Sequence, residues 1–498
     1  MNSLCYRQVG DLRPSVVTLL RAVMVVAVGA LAAANVNAEA PRPNILLILG
    51  DNWAYPHASI CGDPVVATPT FDRLAHEGAL GNNVFCQVPS CSPARAVLLS
   101  GQATHRLGEA ANLWGNWASG LETYPDLLAS AGYVVGFEGK GWAPGVYQAS
   151  STNAALDNPA GMKFKTFGSF LDSVPDGKPF CFWFGSRDPH QPWGAKQEFR
   201  AGLDASKVKV PEYLPDVPEV RETILDYYAE VQSLDHDASQ LLKELDERGL
   251  GENTLVVMMG DNGWQTPRGL ANVYDAGTRT PMAIRWPKVI KPGLVLDQFI
   301  SFEDFAPTFL EVAGVSVPSD MTGKSLVPLL KGNEVNDWRD AIFLERERHA
   351  NVRAEDESYP CRAIRTKDYL YVWNIEPELW PAGDPKMHFA VGPYGDIDNT
   401  PYKAFLLEHQ ETPEYRPFFE LAMGKRPAEE LYDLRTDPDQ VRNIAAEPAN
   451  AGVVSKLRQR VQKWMEATDD PRAKNTRDRR FTKYPYFGGP PRNRPGPK

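Results

Sequence analysis

Acidic and amide side chains follow two apolar segments of similar length. NILLILG is followed by Asp51 and Asn52, and TLVVMMG is followed by Asp261 and Asn262, so both segments end in Gly-Asp-Asn. Either pair alone is typical of a turn. Brought together, however, the two pairs place two carboxylates side by side, and these repel each other unless a cation joins them. Their oxygens are hard ligands, so the pattern predicts a site for Ca²⁺ or Mg²⁺.

A cysteine lies at the start of a predicted helix in VPSCSPARAVLLSGQ (88–102). Pro93 suits the first turn of a helix and Gly101 suits its end, so the pattern predicts a helix from 94 to 100 with Cys91 near the N-cap. The unpaired N–H groups of that end favour a thiolate or a bound oxyanion. A structural cysteine is the alternative. A cysteine phosphatase is excluded, because Val97 stands where its arginine is required.

Basic residues follow two further apolar segments. Lys140 comes directly after YVVGFEG, and His190 ends SRDPH, which follows PFCFWFG. Short apolar runs that alternate with helix-like stretches predict parallel strands buried on both faces. Ligands bind at the carboxyl ends of such strands. We therefore expect Lys140 and His190 to face the paired carboxylates.

The order of these segments predicts an α/β fold. Strands alternate with helices over 43–334, which indicates a large, mostly parallel sheet flanked by helices. After that, CRAIRTKDYLYVWN and ELYDLRTDPDQVRNIA predict strands, and AGVVSKLRQRVQKWMEA predicts a helix. Residues 335–470 are therefore predicted to form a smaller C-terminal α+β domain with an antiparallel sheet. Residues 471–498 are basic and rich in Pro and Gly, which is typical of an extended or disordered tail.

The net charge and the N-terminal residues limit which classes of protein fit the sequence. The 498 residues carry a formal net charge of −10, which argues against nucleic acid as a partner. A substrate anion therefore needs a local basic pocket. Residues 1–38 place arginines before the apolar run AVMVVAVGALAAANV and end in Val-Asn-Ala, which is typical of a signal peptide. A retained anchor is the alternative, but the run is short for a membrane span, so we expect a periplasmic or secreted protein without stable membrane association.

Several of these motifs together resemble one family. CSPAR followed by LLSGQATHRLG is similar to the signature of type I sulfatases of the alkaline-phosphatase superfamily, in which the cysteine is converted to formylglycine (3-oxoalanine). ILGDNWAYP and VVMMGDNG resemble the metal segments of the family, and DPH, YDAGTRTPMAIRWP and ELYDLRTDPDQVRNIA also match. The resemblance covers roughly 43–465 and favours the sulfamidase-like branch and its bacterial relatives that act on sulfated polysaccharides. It implies an alkaline-phosphatase-like large domain.

The resemblance also implies a mechanism and its residues. A maturation enzyme would convert Cys91 to formylglycine; one hydroxyl of its hydrate would attack sulfur, and the other would expel sulfate. Arg95 would orient this group, Lys140 would hold a sulfate oxygen, and His190 would hold sulfate or protonate the leaving group. The substrate would be a sulfated oligo- or polysaccharide. The implied cation ligands are Asp51, Asn52, Cys91, Asp261 and Asn262.

The sequence departs from the family pattern at three positions. Asn52 replaces a second aspartate in the first metal segment, and Trp142 replaces a histidine that usually contacts the formylglycine. Leu270 occupies the position of a usual basic residue. We expect Arg268 to supply that missing cationic contact with sulfate, because a guanidinium can hydrogen-bond to two sulfate oxygens at once. His105 is a candidate substitute base.

Specificity is expected from loops above the sheet and from the second unit. LERERHANVR (344–353) is a dense polar cluster in which Arg346, His349 and Arg353 are candidates for reading sugar sulfates or carboxylates. A solvated charged loop is the alternative. The aromatic candidates for stacking on sugar rings are Trp142, Tyr147 and Trp193.

Two other functions are compatible with the same residues. A phosphodiesterase or phosphonate monoester hydrolase would keep the fold and the metal and change the chemistry. A non-catalytic protein that binds sulfated glycans would explain Trp142 and Leu270, although such a binder does not need Cys91. Activity on an aryl sulfate against an aryl phosphodiester would separate the enzymes.

Overall fold

The first apolar segment forms strand β1 (Asn44–Gly50) in the middle of the larger of two sheets. The computed structural model describes residues 42–117, 120–147, 157–386 and 392–488, and within them this sheet has eight strands. The strand order is β4-β3-β5-β1-β6-β7-β2-β8, and β7 alone runs antiparallel to both of its neighbours. The other seven strands are β2 (Ala79–Phe85), β3 (Val134–Gly139), β4 (Met162–Lys163), β5 (Phe180–Gly185), β6 (Thr254–Gly260), β7 (Arg279–Arg285) and β8 (Leu294–Ser301).

The central strands are apolar throughout because helices cover both faces of the sheet. Along β1, Ile45, Leu47 and Leu49 pack into one hydrophobic cluster, and Leu46 and Ile48 pack into another on the opposite face. Successive side chains of a strand point to opposite faces. Burial on both faces therefore requires the unbroken apolar run seen in the sequence.

Helices of widely different length surround the two sheets in the described part of the chain. The longest spans 30 residues and lies against the face of the large sheet that carries Leu46. In chain order they are α1 (Pro69–Glu77), α2 (Cys91–Ser100), α3 (Tyr124–Ser130), α4 (Phe167–Leu171), α5 (Gln197–Arg200), α6 (Pro218–Glu247), α7 (Asp275–Thr278), α8 (Phe305–Val312), α9 (Val327–Leu330), α10 (Pro401–Glu408), α11 (Arg416–Met423), α12 (Ala451–Ala467), α13 (Pro471–Lys474) and α14 (Arg480–Lys483).

The second sheet is antiparallel, in the order β12-β11-β10-β9. One face packs on α12, where Ile364 and Tyr371 share a cluster with Leu457. The other face packs on the large sheet, where Ala363 shares a cluster with Phe85. Its strands are β9 (Ala341–Arg346), β10 (Cys361–Thr366), β11 (Tyr369–Asn374) and β12 (Glu429–Asp433).

The predicted fold class is confirmed, with a mostly parallel sheet flanked by helices and a smaller antiparallel sheet. Residues from Pro43 onward form one compact unit that contains both sheets. The boundary predicted at 334/335 falls between α9 and β9. No helix among the described residues has both the length and the apolar character needed to cross a bilayer. The predicted signal peptide, 1–38, lies outside the described residues.

The predicted C-terminal tail is wrong for residues 471–488, which are folded onto the protein. Arg472 is buried and donates two hydrogen bonds of 2.8 Å to the carboxylate of Glu347. Phe481 is fully buried in the core beside the large sheet. The prediction from composition failed because basic residues of this segment pair with acidic residues in the loops next to the second sheet. Residues 489–498 lie outside the described part of the chain.

A buried ionic network joins the C-terminal segment to the second sheet. Arg362 Nε lies 2.6 Å from Asp470 Oδ2, and Arg362 Nη2 lies 2.8 Å from Glu347 Oε1. The network extends to the turn after α2, where His105 Nδ1 lies 3.1 Å from Glu345 Oε2. The ionised members are three carboxylates, Glu345, Glu347 and Asp470, and two guanidinium groups, Arg362 and Arg472.

Both ring nitrogens of His105 face hydrogen-bond acceptors in this network. Nδ1 faces the Glu345 carboxylate, and Nε2 lies 3.1 Å from the Thr468 carbonyl oxygen. Both partners are acceptors, so only the imidazolium satisfies both. Burial opposes the charge, but Glu345 and Asp470 outweigh it and raise the pKa of His105. A protonated His105 also balances the third carboxylate.

We expect His105→Gln to destabilise the protein by about 3 kcal/mol at pH 6, because it leaves a buried carboxylate short of its cation. Since the pKa of His105 is raised from 6.5, its contribution is complete below pH 6.5 and is lost as pH rises through the folded-state pKa. The gap in unfolding free energy between wild type and variant should therefore narrow above pH 6.5. Urea titrations at several pH values measure it. His236→Gln, at an exposed site on α6, is the control, and a gap independent of pH would contradict the charge assignment.

Candidate active site

The two Gly-Asp-Asn segments meet because their strands are adjacent and in register. β1 and β6 are parallel neighbours, and Gly50 pairs with Gly260. The next residues, Asp51 and Asp261, therefore leave the sheet side by side. Asn52 has a φ of 69°, a left-handed conformation that asparagine tolerates, and its backbone N–H donates to Asp261 Oδ1 at 2.8 Å.

Two cations neutralise these buried carboxylates. Lys140, directly after β3, places Nζ 2.6 Å from Asp51 Oδ2. Arg95, one turn into α2, places Nε 2.8 Å from Asp261 Oδ2. Nη1 of Arg95 donates to the carbonyl oxygens of Lys140 and Gly141, which fixes the guanidinium. The four charged groups sum to zero.

The two carboxylates differ in proton affinity. Burial opposes ionisation of Asp51, but Lys140, His190 and Arg95 outweigh it and hold its pKa well below the usual range. Burial raises the pKa of Asp261, and the charge of Asp51 adds to this against the effect of Arg95. Asp51 is therefore the more firmly ionised of the pair.

Cys91 is the first residue of α2, three residues earlier than the helix start that the sequence predicts. Its Sγ lies 3.4 Å from Asp51 Oδ1 and 3.6 Å from Asn52 Oδ1. Burial raises the pKa of this thiol well above its ordinary value. The sequence favours a thiolate at the helix N-terminus, whereas burial beside two carboxylates keeps the sulfur protonated.

The residues present fit a divalent cation. Ligand atoms of Asp51, Cys91 and Asp261 lie within 4.8 Å of one another. The amide of Asn262 donates to Asn52 Oδ1 at 2.6 Å, which leaves Asn262 Oδ1 and Asn52 Nδ2 buried without a partner among the described residues. A cation at this point would give the orphaned acceptor, Asn262 Oδ1, a partner. Oxygen ligands of this kind suit Ca²⁺ or Mg²⁺.

A cavity of about 830 Å³ opens onto this cluster. His190 lies in its wall, with Nδ1 2.6 Å from the carbonyl oxygen of Gln191, so Nδ1 is the protonated ring atom. His190 Nε2 accepts a hydrogen bond of 3.3 Å from Gln265. Other lining residues include Asp51, Cys91, Lys140, Trp142, Asp188, Lys196, Glu230, Leu270 and His349.

His349 reaches the cavity from the loop after β9. Its Nδ1 lies 2.8 Å from the hydroxyl oxygen of Ser90, the residue before Cys91. Ser90 is the N-cap of α2, yet its side chain does not cap the helix. The hydroxyl is instead used to hold the imidazole. Burial lowers the pKa of His349, so the ring is neutral near pH 7.

The structure places Arg268 and Arg346 away from this cavity, which corrects two expectations. The Arg268 guanidinium lies 3.8 Å from the ring centre of Tyr274 and donates to the carbonyl oxygens of Leu421 and Gln440. Its loop turns back toward the second sheet, and Leu270 lines the cavity instead. Arg346 is paired with Asp396, 2.5 Å away.

Other candidates are also occupied elsewhere. Arg353 shares the Asp396 carboxylate with Arg346, and His105 belongs to the buried ionic network. Trp193 packs on Tyr227, whereas Trp142 lines the cavity. Long cationic side chains reach whichever buried acid lies nearest in space, and the sequence does not show which acid that is.

Glu230, which lines the cavity, and Ser90, which holds His349, are site residues that the sequence reasoning missed. A serine at an N-cap is typically a capping residue, so no signal pointed to Ser90. Glu230 had a signal, because it lies among the apolar residues Tyr227, Val231 and Leu234 of α6. An acidic residue on the buried face of an amphipathic helix requires a partner.

Comparisons with known proteins agree with this geometry. Residues 43–315 match the family described as Sulfatase, and residues 260–386 match the family described as N-sulphoglucosamine sulphohydrolase, C-terminal. The first match contains the whole cation cluster, and the second spans β7 to β11. The resemblance drawn from the short motifs is confirmed.

Two relatives that align with most of this chain are named as a sulfatase and as a sulphohydrolase. An ulvan-active sulfatase of Formosa agariphila is 28% identical over 453 residues, 88% of this chain and 83% of the relative. The human N-sulphoglucosamine sulphohydrolase is 27% identical over 480 residues, 86% of this chain and 91% of the relative. A solved structure of a protein in complex with its substrate D-glucosamine-2-N,6-O-disulfate has a TM-score of 0.62 at 21% identity, covering 87% of this chain and 99% of that one.

We expect Asp51→Ala and Asp261→Ala each to weaken binding of Ca²⁺ on the order of 10²-fold, because each variant removes a charged ligand. Equilibrium dialysis with elemental analysis of the bound cation measures this. Asp176→Ala, at an exposed loop position, is the matched control. Wild-type affinity in both cluster variants would show that the cation does not bind here.

Proposed function

This chain belongs to the sulfatase family, and from that membership we propose that it removes sulfate groups from sulfated carbohydrates. The observation that carries the proposal is the position of Cys91. Its sulfur lies at the N-terminus of α2 and within 3.6 Å of two side chains of the cation cluster. We propose that Cys91 is converted to formylglycine by a maturation enzyme and that Ca²⁺, or Mg²⁺, binds beside it.

The charges of the cluster support an anionic substrate. Asp51 and Asp261 are balanced by Lys140 and Arg95, so a bound divalent cation makes the site positive by two charges. A sulfate ester, which carries one negative charge, would offset part of this excess. The chain as a whole is acidic, so this local excess is what draws the anion.

The proposed groups supply distinct chemistry. A bound divalent cation would act as a Lewis acid, and formylglycine would supply the nucleophilic hydroxyl. Lys140 and Arg95 hold the carboxylates in place, and Lys140, which lines the cavity, is proposed to stabilise the charge that develops on the sulfur-bound oxygens. His190 lies in the cavity wall with Nδ1 bound to the Gln191 carbonyl oxygen, and only a long contact of 3.3 Å with Gln265 is present at Nε2. Exchange of that contact would let a protonated His190 hold sulfate through Nε2 or give a proton to the leaving oxygen or nitrogen.

His349 is proposed to act where the family pattern has a histidine and this chain has Trp142. The contact with Ser90 holds the imidazole next to residue 91. Nδ1 of His349 is hydrogen-bonded to the Ser90 hydroxyl, and Nε2 has no partner among the described residues. That atom is therefore the one available to a group at residue 91 or to sulfate.

The substrate class follows from the relatives and the cavity. Relatives named for ulvan and for N-sulphoglucosamine support a sulfated sugar. A cavity of about 830 Å³ lies within the range of about 300–1,000 Å³ that is usual for small-ligand sites. With the predicted signal peptide, we propose that the enzyme acts in the periplasm or outside the cell.

We expect Cys91 to carry an aldehyde after co-expression with a maturation enzyme, because the buried thiol lacks the second hydroxyl needed to release product. Peptide mass spectrometry should show sulfur replaced by oxygen with loss of two hydrogens. Cys91→Ala should fold and lose activity. Activity of a protein whose Cys91 is entirely unmodified would refute the mechanism.

The same preparation distinguishes the proposed sulfatase activity from the alternative functions. A sulfatase should hydrolyse p-nitrophenyl sulfate or defined sulfated saccharides faster than bis-p-nitrophenyl phosphate. A preference for the phosphodiester would favour the phosphodiesterase or phosphonate hydrolase reading. Binding of sulfated saccharides without turnover, in protein with a verified aldehyde, would favour the non-catalytic glycan binder.

We expect His349→Gln to lower kcat on the order of 10²-fold, the size typical of a lost general acid or base. The cation content should not change, since His349 is not among the proposed ligands. Steady-state kinetics with elemental analysis test both statements. His76→Gln, at an exposed position, is the control. Unchanged kcat in His349→Gln would remove this residue from the mechanism.

A further inference from the structure

Glu230 is a buried acid on the inner face of α6. It is 2% exposed, and the residues beside it on this face contact the cation loop. Tyr227 accepts a hydrogen bond of 3.2 Å from the backbone N–H of Ala54. Leu234 packs on Gly50, where a Cβ atom would lie 2.6 Å from Leu234 Cδ2. Glu230 is thus held against the active site by its neighbours.

One oxygen of this carboxyl group has no partner. Glu230 Oε1 is fully buried and makes no hydrogen bond with the described residues, yet Glu230 lines the same cavity as Cys91. Buried polar groups in folded proteins are nearly always hydrogen-bonded. The missing partner is therefore expected to come from a molecule in the cavity.

The immediate surroundings of Glu230 are polar. Asp188 and Lys196 also line the cavity, and their side chains are paired at 3.2 Å. Burial, the charge of Asp188 and a side-chain hydrogen bond with Asp188 raise the pKa of Glu230 to about 8, against the effect of Lys196. At neutral pH the protonated carboxyl group can donate to Asp188, which leaves Oε1 as an acceptor. An unpartnered acceptor suits a hydroxyl or amino group of a sugar.

Glu230 lies close to the loop of cation ligands. It precedes Leu234 by one helical turn, about 6 Å along the axis. Leu234 touches Gly50, the residue directly before Asp51. Glu230 and Asp51 line the same cavity.

A second unpartnered group lies in the same wall. The indole N–H of Trp142 is buried without a hydrogen-bond acceptor among the described residues, and Trp142 lines the cavity. The wall thus has both an unpartnered acceptor and an unpartnered donor. A sugar unit can supply a hydrogen-bond donor for the first and an acceptor for the second.

We propose that Glu230, supported by Asp188 and Lys196, binds hydroxyl or N–H donors of the sugar unit that carries the sulfate group. This rests on the proposed function, since it identifies how that active site distinguishes a sulfated sugar from other sulfate esters. Glu230 is a recognition residue and takes no part in breaking the sulfate bond.

The test compares a sulfated sugar with sulfate esters and ions that lack a sugar. Glu230→Ala, Glu230→Gln and, as control, Glu247→Gln on the exposed face of α6 are assayed on N-sulfo-D-glucosamine, D-glucosamine-2-N,6-O-disulfate, ulvan oligosaccharides and p-nitrophenyl sulfate. Calorimetric titration of the same proteins with the disulfate and with inorganic sulfate measures binding without turnover. Circular dichroism melts establish that each variant is folded.

We expect Glu230→Ala to raise KM and Kd for the saccharide on the order of tenfold, the size of one lost hydrogen-bonding contact. The kcat/KM for p-nitrophenyl sulfate and the Kd for inorganic sulfate should stay within about twofold of wild type. Glu230→Gln retains an acceptor oxygen and should recover most of the saccharide affinity. Glu247→Gln should match wild type throughout.

Three results would overturn the proposal. Equal losses on saccharide and on p-nitrophenyl sulfate or inorganic sulfate would make Glu230 structural or catalytic. Unchanged saccharide affinity in both folded Glu230 variants would show that the oxygen faces no substrate. Failure of the wild type to bind any of these saccharides would also overturn it. If wild type binds them without hydrolysing any sulfate ester, the proposed function fails while the Kd comparison still decides the role of Glu230.

Discussion

Two like charges, Asp51 and Asp261, are held side by side in the interior of this protein, and much of the architecture serves to make that possible. Their strands are adjacent and parallel, so the carboxylates leave the sheet at the same edge. Burial alone would drive both toward the neutral form. They stay at this point because Lys140 and Arg95 supply two positive charges from β3 and α2.

That arrangement explains why α2 begins where it does. A helix that starts at Cys91 brings its sulfur to Asp51 and, one turn later, brings Arg95 to Asp261. Because Ser90 uses its hydroxyl to hold His349, the N-terminus of α2 also fixes a residue from the loop after β9. One short helix therefore links the carboxylates, the reactive side chain and the loop after β9.

The loop after β9 lines the cavity through His349, and the C-terminal segment supports the cavity wall from behind. The backbone N–H of Phe487 donates to the carbonyl oxygen of Trp114, which lines the cavity. The buried network around Arg362 joins this segment to β9 and to the turn that follows α2. A basic segment that looks disordered by composition is thus part of the frame, because its charges are paired inside the protein.

The sequence by itself determined the α/β fold and the residues that cluster at the centre of the sheet, because this information is local. An unbroken apolar run predicts a strand buried on both faces, and parallel strands bring the residues after them to one edge, as happens for Asp51 and Asp261. Only the tertiary structure decided which long side chains enter the cavity. Arg268 turns to Tyr274 and Arg346 turns to Asp396, while His349 and Glu230 face the cavity. The direction of each side chain depends on partners that are far away along the chain. Because these contacts are buried, they outweigh the preferences that the local sequence sets.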